Sequence, residues 1–299
     1  MQVQILLSTY NGERWLSELL ASLLWQTHKH WQLIIRDDGS TDNTWALLQA
    51  WQAQHPQRVK CVISEREHVG TTESFNRLVA ASDADYLLFC DQDDVWFPEK
   101  VELQLNALLA LETGQGKANA NLVHADLMVV DASKQLVAAS FWQARGFNTQ
   151  QSKQHYLINN VVTGCATIFN RAAADLAFPV PTHALQHDRW LALVCVWFGT
   201  VQALPYQLLF YRQHSTNQIG ARRPFNFNIA ARVKAWSTQA QAFTQRYATR
   251  LDPQQADVQV LQALSRLTEL KAWQRRQSIV RHRLYKPSLL ENVALLLLA

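Results

Sequence analysis

The chain has 299 residues, of which 48% are hydrophobic, and this supply of apolar side chains is enough for a packed core. The composition therefore excludes a disordered protein. Lys and Arg number 28 against 24 Asp and Glu, so the net charge of +4 is too small to indicate nucleic acid as a partner.

The first part of the chain alternates short apolar runs with segments that have the apolar spacing of helices. Strands are predicted at residues 3–7, 33–35, 59–63 and 86–90, with helices between them at 15–24, 45–51 and 75–79. The polar segment "DDGSTDNT" predicts a turn before the second helix, with Asp42 as the N-cap of that helix. Alternation of strand and helix from the first residue predicts a parallel sheet wound by right-handed crossovers.

The second part of the chain adds further strands and then becomes helical. A helix is expected around residues 101–109, strands at 122–131, 161–170 and 206–214, and a buried helix that ends at Gly199. From residue 225 onward the pattern is helical only, and one apolar stripe comprises Leu261, Leu264, Leu267, Leu270 and Trp273. We therefore expect one domain at residues 1–220 and a helical C-terminal region at 221–299.

The cysteines and the amino terminus both indicate a reducing compartment. Each cysteine lies in an apolar run, far from the others, as is typical of buried thiols and not of disulfides or a zinc site; they are Cys61, Cys90, Cys165 and Cys195. The opening segment "MQVQILLSTY" lacks the basic leader and the cleavage site of a signal peptide, so it is expected to be a strand. These features predict a cytoplasmic protein.

The end of the chain combines a basic cluster with an apolar run. The basic residues are Arg275, Arg276, Arg281, His282, Arg283 and Lys286, and the run is "SLLENVALLLLA". The run is too short to span a bilayer, for which about 20 apolar residues are needed. A basic stretch followed by apolar side chains suits an anionic membrane surface, so one interpretation is a peripheral anchor. The alternatives are a last core helix with a solvated basic face and a dimer interface.

Polar clusters follow three of the predicted strands, with the sequences "STYNGE", "RDDGSTD" and "CDQDD". Because ligands of parallel α/β sheets bind beyond the carboxyl ends of the strands, these clusters are expected to converge on one crevice. In the third cluster Asp91, Asp93 and Asp94 repel one another, and a divalent cation such as Mg²⁺ or Mn²⁺ would offset that repulsion. The alternatives are helix N-cap acids ahead of Pro98, or a phosphatase nucleophile.

The phosphatase and nucleotidyltransferase classes fit this sequence less well. The segment "DQDDV" matches the DxDxV pattern of the haloacid dehalogenases, but that family places its nucleophile on the first strand, and here other strand and helix units come earlier. A nucleotidyltransferase also needs acids for a metal, yet no glycine-rich phosphate loop is found near the amino terminus.

Six separated motifs resemble one family in their order and spacing: "LLSTYNGERWLSELLASLLWQT", "IIRDDGSTDNT", "FCDQDDVWFPEKV", "NNVVTGCATIFN", "HDRWLALV" and "YRQH". They resemble the inverting GT-A glycosyltransferases of family 2, and within these the rhamnosyltransferase-like branch with a DQDDxW signature. The resemblance covers residues 2–220, and agreement of six motifs is specific, whereas a lone DxD would be weak. It implies an α/β GT-A fold with a Rossmann-like, mostly parallel central sheet and helices on both faces, to which the helical C-terminal region predicted from the apolar pattern is an appendage that carries little of the resemblance.

The resemblance implies a site for a nucleotide-sugar at the ends of the first strands. Thr9, Tyr10, Glu13 and Asp38 match the positions that hold the nucleoside of the donor. Asp38 is well suited to accept hydrogen bonds from the base or the ribose. Asp91 matches the residue that contacts the ribose or a metal-bound water.

The resemblance also implies a metal site and a base. Asp93 matches the metal ligand of the DxD pair, His214 a further metal ligand or phosphate contact, and Arg212 is expected to reach the diphosphate. The metal, Mn²⁺ or Mg²⁺, would stabilise the nucleoside diphosphate as it leaves. Asp188 matches the base that takes the proton of the acceptor hydroxyl, although an aspartate there also fits the N-cap of the following helix.

The function that the resemblance implies is sugar transfer in the assembly of a bacterial surface glycan. The branch points to L-rhamnose from dTDP-L-rhamnose as the donor and to a lipid-linked glycan as the acceptor, with a UDP-hexose (galactose or glucose) as the alternative donor. A non-catalytic nucleotide-sugar-binding scaffold is the competing class. Trp96, Phe141 and Trp142 are candidates to stack on sugar rings. We expect a peripheral position on the cytoplasmic face of the inner membrane.

Overall fold

A computed structural model of the chain describes residues 1–63, 67–214, 228–285 and 289–298. One sheet runs through it, and its strands are β1 (Val3–Thr9), β2 (Trp31–Asp37), β3 (Val59–Ile63), β4 (Tyr86–Asp91), β5 (Val95–Trp96), β6 (Ala120–Asp131), β7 (Leu136–Ala138), β8 (Thr167–Asn170) and β9 (Gly199–Gln213). Their spatial order is β3-β2-β1-β4-β8-β6-β9-β5, and β7 pairs with β6 beside this path.

The parallel part of the sheet is built from the unbroken apolar runs at the start of the chain. β1 lies between β2 and β4, β3 pairs with β2, and all these pairings are parallel. Ile5 and Leu6 of β1 are fully buried although they point to opposite faces, because the strand is covered on both sides. β6 and β9 also pair in parallel, and the antiparallel strand β8 joins the two groups. The prediction of a mostly parallel sheet is confirmed.

Two predicted strands differ in extent from the structure. The segment 161–170 is predicted as one strand, but only Thr167–Asn170 pairs with the sheet. The three residues before it form a 3₁₀ turn, Gly164–Ala166, which we call the GCA turn; the Thr167 hydroxyl closes it by donating to the Gly164 carbonyl at 2.7 Å. The last strand begins at Gly199 instead of at residue 206. Its pairing with β6 is interrupted around Pro205, which has no N–H to donate. Because a proline argues against a continuous strand, the part of β9 before residue 206 was not predicted.

Helices cover both faces of the sheet, as predicted. They are α1 (Leu16–Leu24), α2 (Thr44–Gln54), α3 (Thr71–Ala80), α4 (Lys100–Gln115), α5 (Phe141–Arg145), α6 (Lys153–Ile158), α7 (Arg171–Ala177), α8 (His187–Phe198), α9 (Ile229–Arg246), α10 (Ala256–Ser265), α11 (Ala272–Arg281) and α12 (Leu289–Leu298). Apolar residues of α1, α2 and α4 pack on one face of the sheet, and those of α3, α7 and α8 pack on the other. The N-cap residue of α2 is Asn43, one residue after the predicted Asp42, and the Asn43 side chain makes no capping hydrogen bond. The Asp42 carboxylate instead accepts a hydrogen bond from the Thr44 N–H at 3.0 Å.

The C-terminal helices share the apolar core that covers the α8 face of the sheet. Val233 of α9 and Leu261 of α10 are buried in the same cluster as the residues of α8. α12 packs on α9, where Leu295 is buried and Glu291 pairs with Arg232 at 3.0 Å. The predicted boundary between residues 220 and 221 lies outside the described residues.

The predicted apolar stripe of the C-terminal region is split between two helices. Leu261, Leu264 and Leu267 are buried, but Trp273 is 56% exposed. A second 3₁₀ turn, Leu267–Glu269, separates α10 from α11. Leu261 and Leu264 of α10 face the core, whereas in α11 the buried residue is Ile279. The residues of the predicted stripe therefore belong to two helices and the turn between them, and the last of them, Trp273, is exposed.

Two expectations about compartment and membrane can be compared with the structure. Cys90, Cys165 and Cys195 are free and buried, as predicted, and the side chain of Cys61 lies outside the described part. Within the described ranges, no helix has both the length and the apolar character that a bilayer crossing requires.

Candidate active site

A cavity of about 390 Å³ opens at the carboxyl ends of β1, β2 and β4. Seven of the nine predicted site residues line it: Thr9, Tyr10, Asp38, Asp91, Asp93, Asp188 and His214. The other two, Glu13 and Arg212, do not. The structure thus brings together residues from the two ends of the predicted domain.

The turn after β2 is organised by Asp37. Its carboxylate is fully buried and accepts hydrogen bonds from the Thr9 hydroxyl and from the Ser40 N–H, each at 2.9 Å. Gly39 has a φ of +80°, a conformation that glycine adopts at little cost. The hydroxyl proton of Thr9 is therefore committed to the turn, and Asp37 shapes the wall of the cavity without facing a ligand.

Asp38 lies in that wall, surrounded by hydrogen-bond donors. Its carboxylate pairs with Arg36 at 2.6 Å and accepts the N–H groups of Val69 and Gly70 at 2.8 and 2.9 Å. The exposed imidazole of His68 adds a contact from Nδ1 to Oδ2 at 3.0 Å. Burial alone would raise the pKa of Asp38, but the hydrogen bonds and the charge of Arg36 lower it below its ordinary value. Asp38 is therefore an ionised carboxylate of fixed orientation.

Tyr10, at the end of β1, is held by a side chain that the sequence analysis did not single out. The Gln92 amide accepts the Tyr10 N–H and donates to the Tyr10 carbonyl, both at 2.8 Å. This clamp requires glycine at position 12, because an added Cβ would lie 2.1 Å from Gln92 Oε1. The half-exposed Tyr10 ring lines the cavity and lies against the His68 ring, with centroids 4.5 Å apart, and we call this pair the aromatic edge.

Asp93 and His214 have the spacing of two metal ligands. Asp93 Oδ2 and His214 Nε2 are 2.8 Å apart. Neighbouring ligands of an octahedral ion with bonds of about 2.1 Å are about 3 Å apart, so one divalent cation could bind both atoms after small adjustments. Carboxylate oxygen suits Mg²⁺ and Mn²⁺, and imidazole is a common metal ligand. The His214 ring is stacked on Trp15 with centroids 5.2 Å apart, which fixes its orientation.

Arg212 lies behind Asp93 and is only 2% exposed. Its Nε donates to the Asp93 carbonyl at 3.0 Å, and its Nη2 pairs with Glu18. The guanidinium carbon is also 4.5 Å from the centroid of the Trp15 ring. Contact with a diphosphate would break these bonds, so the geometry favours a role in holding the Asp93 loop. Glu13 is exposed and accepts the backbone N–H of the N-cap residue of α2.

Asp91 and Asp94 add two further carboxyl groups beside Asp93. Asp94 is fully buried, and neither of its oxygens receives an N–H or O–H hydrogen bond from the part of the chain that the structure describes. Burial raises the pKa of Asp91 to about 7, and the charges of Asp93 and Asp188 act in the same direction. Burial also raises the pKa of Asp94 well above its ordinary value. One oxygen of each residue and the Cys165 Sγ lie within 4.8 Å of one another.

Asp188 reaches the cavity from the first turn of α8. Its Oδ2 accepts the Gly164 N–H at 3.2 Å, and its Oδ1 accepts the Arg189 N–H at 2.6 Å. Burial raises the pKa of Asp188 to about 6, although both hydrogen bonds oppose this shift. A carboxyl with this pKa is mostly ionised at neutral pH and has the proton affinity that a general base needs. The N-cap position belongs to Gln186, so the N-cap interpretation of Asp188 is wrong by two residues.

His187 also lines the cavity, although the sequence analysis did not propose it. Its ring is stacked on Phe75, with centroids 4.1 Å apart, and makes an edge contact with Phe89. Burial lowers the pKa of His187 to about 3, so the imidazole is neutral. Its position next to Asp188 in "HDRW" was the signal that could have found it.

The aromatic residues proposed to stack on sugars lie mostly elsewhere. Trp96 and Phe141 are 2% and 3% exposed and belong to the apolar core, so that prediction is wrong for both. Trp142 is partly exposed and packs on His124. The tryptophan that does line the cavity is Trp15, under His214.

Known sequences that are similar to this chain are glycosyltransferases. A sequence model described as Glycosyl transferase family 2 matches residues 4–177. The chain is 28% identical over 236 residues to the dTDP-rhamnosyl transferase RfbG of Shigella flexneri, and the aligned region covers 73% of this chain and 75% of that protein. It is 27% identical over 229 residues to an uncharacterized glycosyltransferase, alr2836, of Nostoc sp., with coverage of 73% and 66%. The chain thus spans slightly less than two thirds of that relative.

A third relative and one solved structure extend the comparison. The chain is 24% identical over 193 residues to the UDP-Glc:alpha-D-GlcNAc-diphosphoundecaprenol beta-1,3-glucosyltransferase WfgD of Escherichia coli, with coverage of 64% and 69%. The mannosyltransferase PcManGT of Pyrobaculum calidifontis, solved in complex with GDP-Man and Mn²⁺, is similar with a TM-score of 0.57 at 16% identity and covers 100% of this chain and 81% of that chain. At this identity the likeness concerns the fold alone, and it confirms the predicted GT-A fold.

Proposed function

The chain belongs to glycosyl transferase family 2, and from this premise we propose that it transfers a sugar from a nucleotide-sugar to a hydroxyl of a growing surface glycan, with inversion of configuration. The observation that carries this proposal is the meeting of Asp93, His214 and Asp188 in one cavity. The first two have the spacing of metal ligands, and the third has the pKa of a general base. A donor and an acceptor bound between them would be ready to react.

Asp93 and His214 would hold a divalent cation, Mn²⁺ or Mg²⁺, through Oδ2 and Nε2. When bound there, the cation neutralises the diphosphate and stabilises it as the leaving group. Arg212 fixes the Asp93 loop through its bond to the Asp93 carbonyl, and Trp15 supports the His214 ring. By holding Asp93 and His214 in place, Arg212 and Trp15 would help the bound cation to orient the diphosphate before the sugar reacts.

The nucleoside would lie along the wall formed by the ends of β1 and β2. The aromatic edge of Tyr10 and His68 offers a face for the base. On the fixed carboxylate of Asp38, Oδ1 already accepts bonds from Arg36 and Val69, so the base or the ribose would bond to Oδ2 in place of the exposed His68 ring. Asp91 would contact the ribose, and Thr9 would contribute through its backbone, since its hydroxyl proton is used by the turn.

Asp188 would remove the proton of the acceptor hydroxyl while that oxygen attacks the anomeric carbon. The bond from this carbon to the diphosphate oxygen breaks, and the diphosphate leaves with the electron pair. Attack from the face opposite the leaving group inverts the configuration of the sugar. The Gly164 N–H, 3.2 Å from Oδ2, keeps the carboxylate oriented toward the cavity.

The donor that we propose is dTDP-L-rhamnose. The segment "DQDDVW" fits the signature of the rhamnosyltransferase-like branch, and the relative from Shigella flexneri is named as a dTDP-rhamnosyl transferase. A UDP-hexose, with glucose or galactose, is the second candidate because the name of the Escherichia coli relative gives UDP-Glc as its donor.

The acceptor that we propose is lipid-linked, and the protein would work as a peripheral protein on the cytoplasmic face of the inner membrane. The name of the Escherichia coli relative includes a diphosphoundecaprenol acceptor. α11 exposes Trp273 and Val280 together with Arg276 and Arg281, a mixture that suits anionic headgroups. Lys286 of the basic cluster lies outside the described residues. Charge reversal at both arginines would release the protein from anionic vesicles, whereas loss of a dimer instead would assign these helices to a homodimer interface.

Calorimetric titration of dTDP-rhamnose, UDP-glucose and UDP-galactose, with Mn²⁺ and with EDTA, tests this function. One donor should bind only when Mn²⁺ is present, and Asp93→Asn should remove that binding. The matched control is Asp175→Asn, which changes an exposed aspartate on α7. Binding that needs no metal, or no binding of any donor, would refute the proposed site. Binding of a donor to the wild-type protein without transfer to any lipid-linked acceptor would favour the scaffold.

A further inference from the structure

His187 lies between the proposed base and the elements that would hold the donor. It is the first residue of α8, it precedes Asp188, and both residues line the cavity. Its ring is stacked on Phe75 of α3, with centroids 4.1 Å apart, and makes an edge contact with Phe89 of β4. The first turn of α3 also lines the cavity, and β4 ends at Asp91. The imidazole is therefore packed against the elements on the donor side of the base.

One nitrogen of this ring is closed off by the GCA turn. A Cβ on Gly164 would lie only 3.2 Å from His187 Nε2, so the ring fits closely because position 164 has no side chain. Nε2 is buried and has no hydrogen-bond partner in the part of the chain that the structure describes. The nitrogen that remains for a ligand in the cavity is Nδ1.

The surroundings of the two nitrogens indicate which of them carries the proton. Burial lowers the pKa of His187 to about 3, so at neutral pH one ring nitrogen is a donor and the other is an acceptor. An N–H group that is buried without an acceptor is rare in proteins, because it loses its bond to water and gains none in return. The proton is therefore expected on Nδ1, which makes Nδ1 an uncharged hydrogen-bond donor.

We infer that His187 is a specificity-determining residue, whose Nδ1–H donates a hydrogen bond to a hydroxyl of the sugar that is transferred. The inference rests on the proposed function, because it takes the cavity as the site of a nucleotide-sugar. Asp188 would face the acceptor hydroxyl, whereas the ring before it, packed on α3 and β4, would face the sugar of the donor. A neutral ring also forms no ion pair that would lower the pKa of the Asp188 carboxyl.

The test separates the sugar from the rest of the donor by calorimetric titration of the full chain with Mn²⁺ present. The probes are dTDP-rhamnose and dTDP, or the matching UDP-hexose and UDP if the wild-type protein binds that donor. His187→Phe keeps an aromatic ring on Phe75 but removes the hydrogen bond. We expect this variant to bind the intact donor about tenfold more weakly and to bind the free nucleoside diphosphate as the wild-type protein does.

His187→Asn is the complementary variant, because it loses the stacked ring but keeps an NH₂ donor near the position of Nδ1. Its affinity for the intact donor, relative to that for the nucleoside diphosphate, should exceed the same ratio in His187→Phe. The matched control is His55→Phe at the end of α2, where a half-buried imidazole contacts Trp51 and does not line the cavity. This control should leave both affinities unchanged.

Two results with the variants would overturn the inference while leaving the proposed function intact. The first is wild-type donor affinity in His187→Phe, and the second is an equal loss for the donor and the nucleoside diphosphate, which would indicate a structural role. A nitrogen NMR spectrum of the unliganded wild-type protein gives an independent check, because a proton on Nε2 of His187 would also overturn the inference. Failure of the wild-type protein to bind either probe would instead refute the proposed function.

Discussion

Replacement of Asp188 by Asn should stabilise the folded protein at pH 8 while removing its activity. Burial raises the pKa of the Asp188 carboxyl from its ordinary value of 3.8 to about 6. Because the folded pKa is above the unfolded value, the contribution of this group to stability is fully present below about pH 3.8 and declines as the pH rises. It is lost above about pH 6, where the carboxylate is ionised in a buried position.

The size of the effect follows from the difference between the two pKa values. At about 1.36 kcal/mol per pKa unit, the ionised Asp188 costs the folded state about 3 kcal/mol at pH 8. About 2 kcal/mol of this cost develops between pH 4 and pH 8. The Asn side chain carries no charge, but it replaces one carboxylate oxygen with an NH₂ group, so one bond from Gly164 or Arg189 is lost. That loss costs about 1 kcal/mol at every pH.

The assay is urea unfolding of the wild-type protein and of Asp188→Asn at pH 4 and at pH 8, with EDTA present. The difference in unfolding free energy between the two proteins should shift by about 2 kcal/mol in favour of the variant as the pH rises. Any constant effect of the substitution cancels in this comparison, and Asp175→Asn should show no such shift because its carboxylate is exposed. A stability difference that is the same at both pH values would refute the buried, raised-pKa description of Asp188.

Gly12→Ala should weaken donor binding about tenfold, because the new Cβ would displace the Gln92 amide that holds the end of β1 and two hydrogen bonds of about 1 kcal/mol each would be disturbed. Unchanged donor affinity would show that this clamp has no part in binding. The ratio kcat/KM should rise with pH up to about pH 6 and then level off as Asp188 ionises, and a flat profile between pH 5 and pH 7 would exclude it as the base. Arg212→Lys should lower Mn²⁺ affinity, because one ammonium group cannot replace the three guanidinium nitrogens that bond separately to the Asp93 carbonyl, the Ala132 carbonyl and Glu18. Loss of donor affinity at unchanged Mn²⁺ affinity would instead support contact between Arg212 and the diphosphate.

The framework of the site was predictable because it depends on local patterns. Asp38 and Asp91 each follow an apolar run, and parallel strands bring their carboxyl ends to one edge of the sheet. The alternation of strands and helices was therefore sufficient to place both residues at the same crevice. The resemblance to a family added Asp188, which no local pattern connects with the other acids.

Contacts between distant side chains were not predictable in this way. The clamp between Gln92 and Tyr10 joins residues that are 82 positions apart, and neither residue type indicates it. The charge of Arg212 suggested a phosphate contact, but its pairing with Glu18 and with a backbone carbonyl depends on how β9 lies against the start of α1. Pattern and composition specify which elements form, whereas the direction of a long side chain is decided by packing.

The order of α8 and β9 in the chain has a consequence for how such enzymes can be recombined. α8 begins beside the cavity with Asp188, Gly199 reverses the chain, and β9 returns to the cavity just before His214. There is no room for a side chain at the reversal, since a Cβ on Gly199 would lie 2.1 Å from the Ala120 carbonyl oxygen. Residues 187–214 thus form one continuous segment that carries the proposed base near its start and a proposed metal ligand at its end. A chimera of two related transferases with crossover points outside this segment would take both groups from the same parent. A crossover within the segment would combine a base from one parent with a metal ligand from the other.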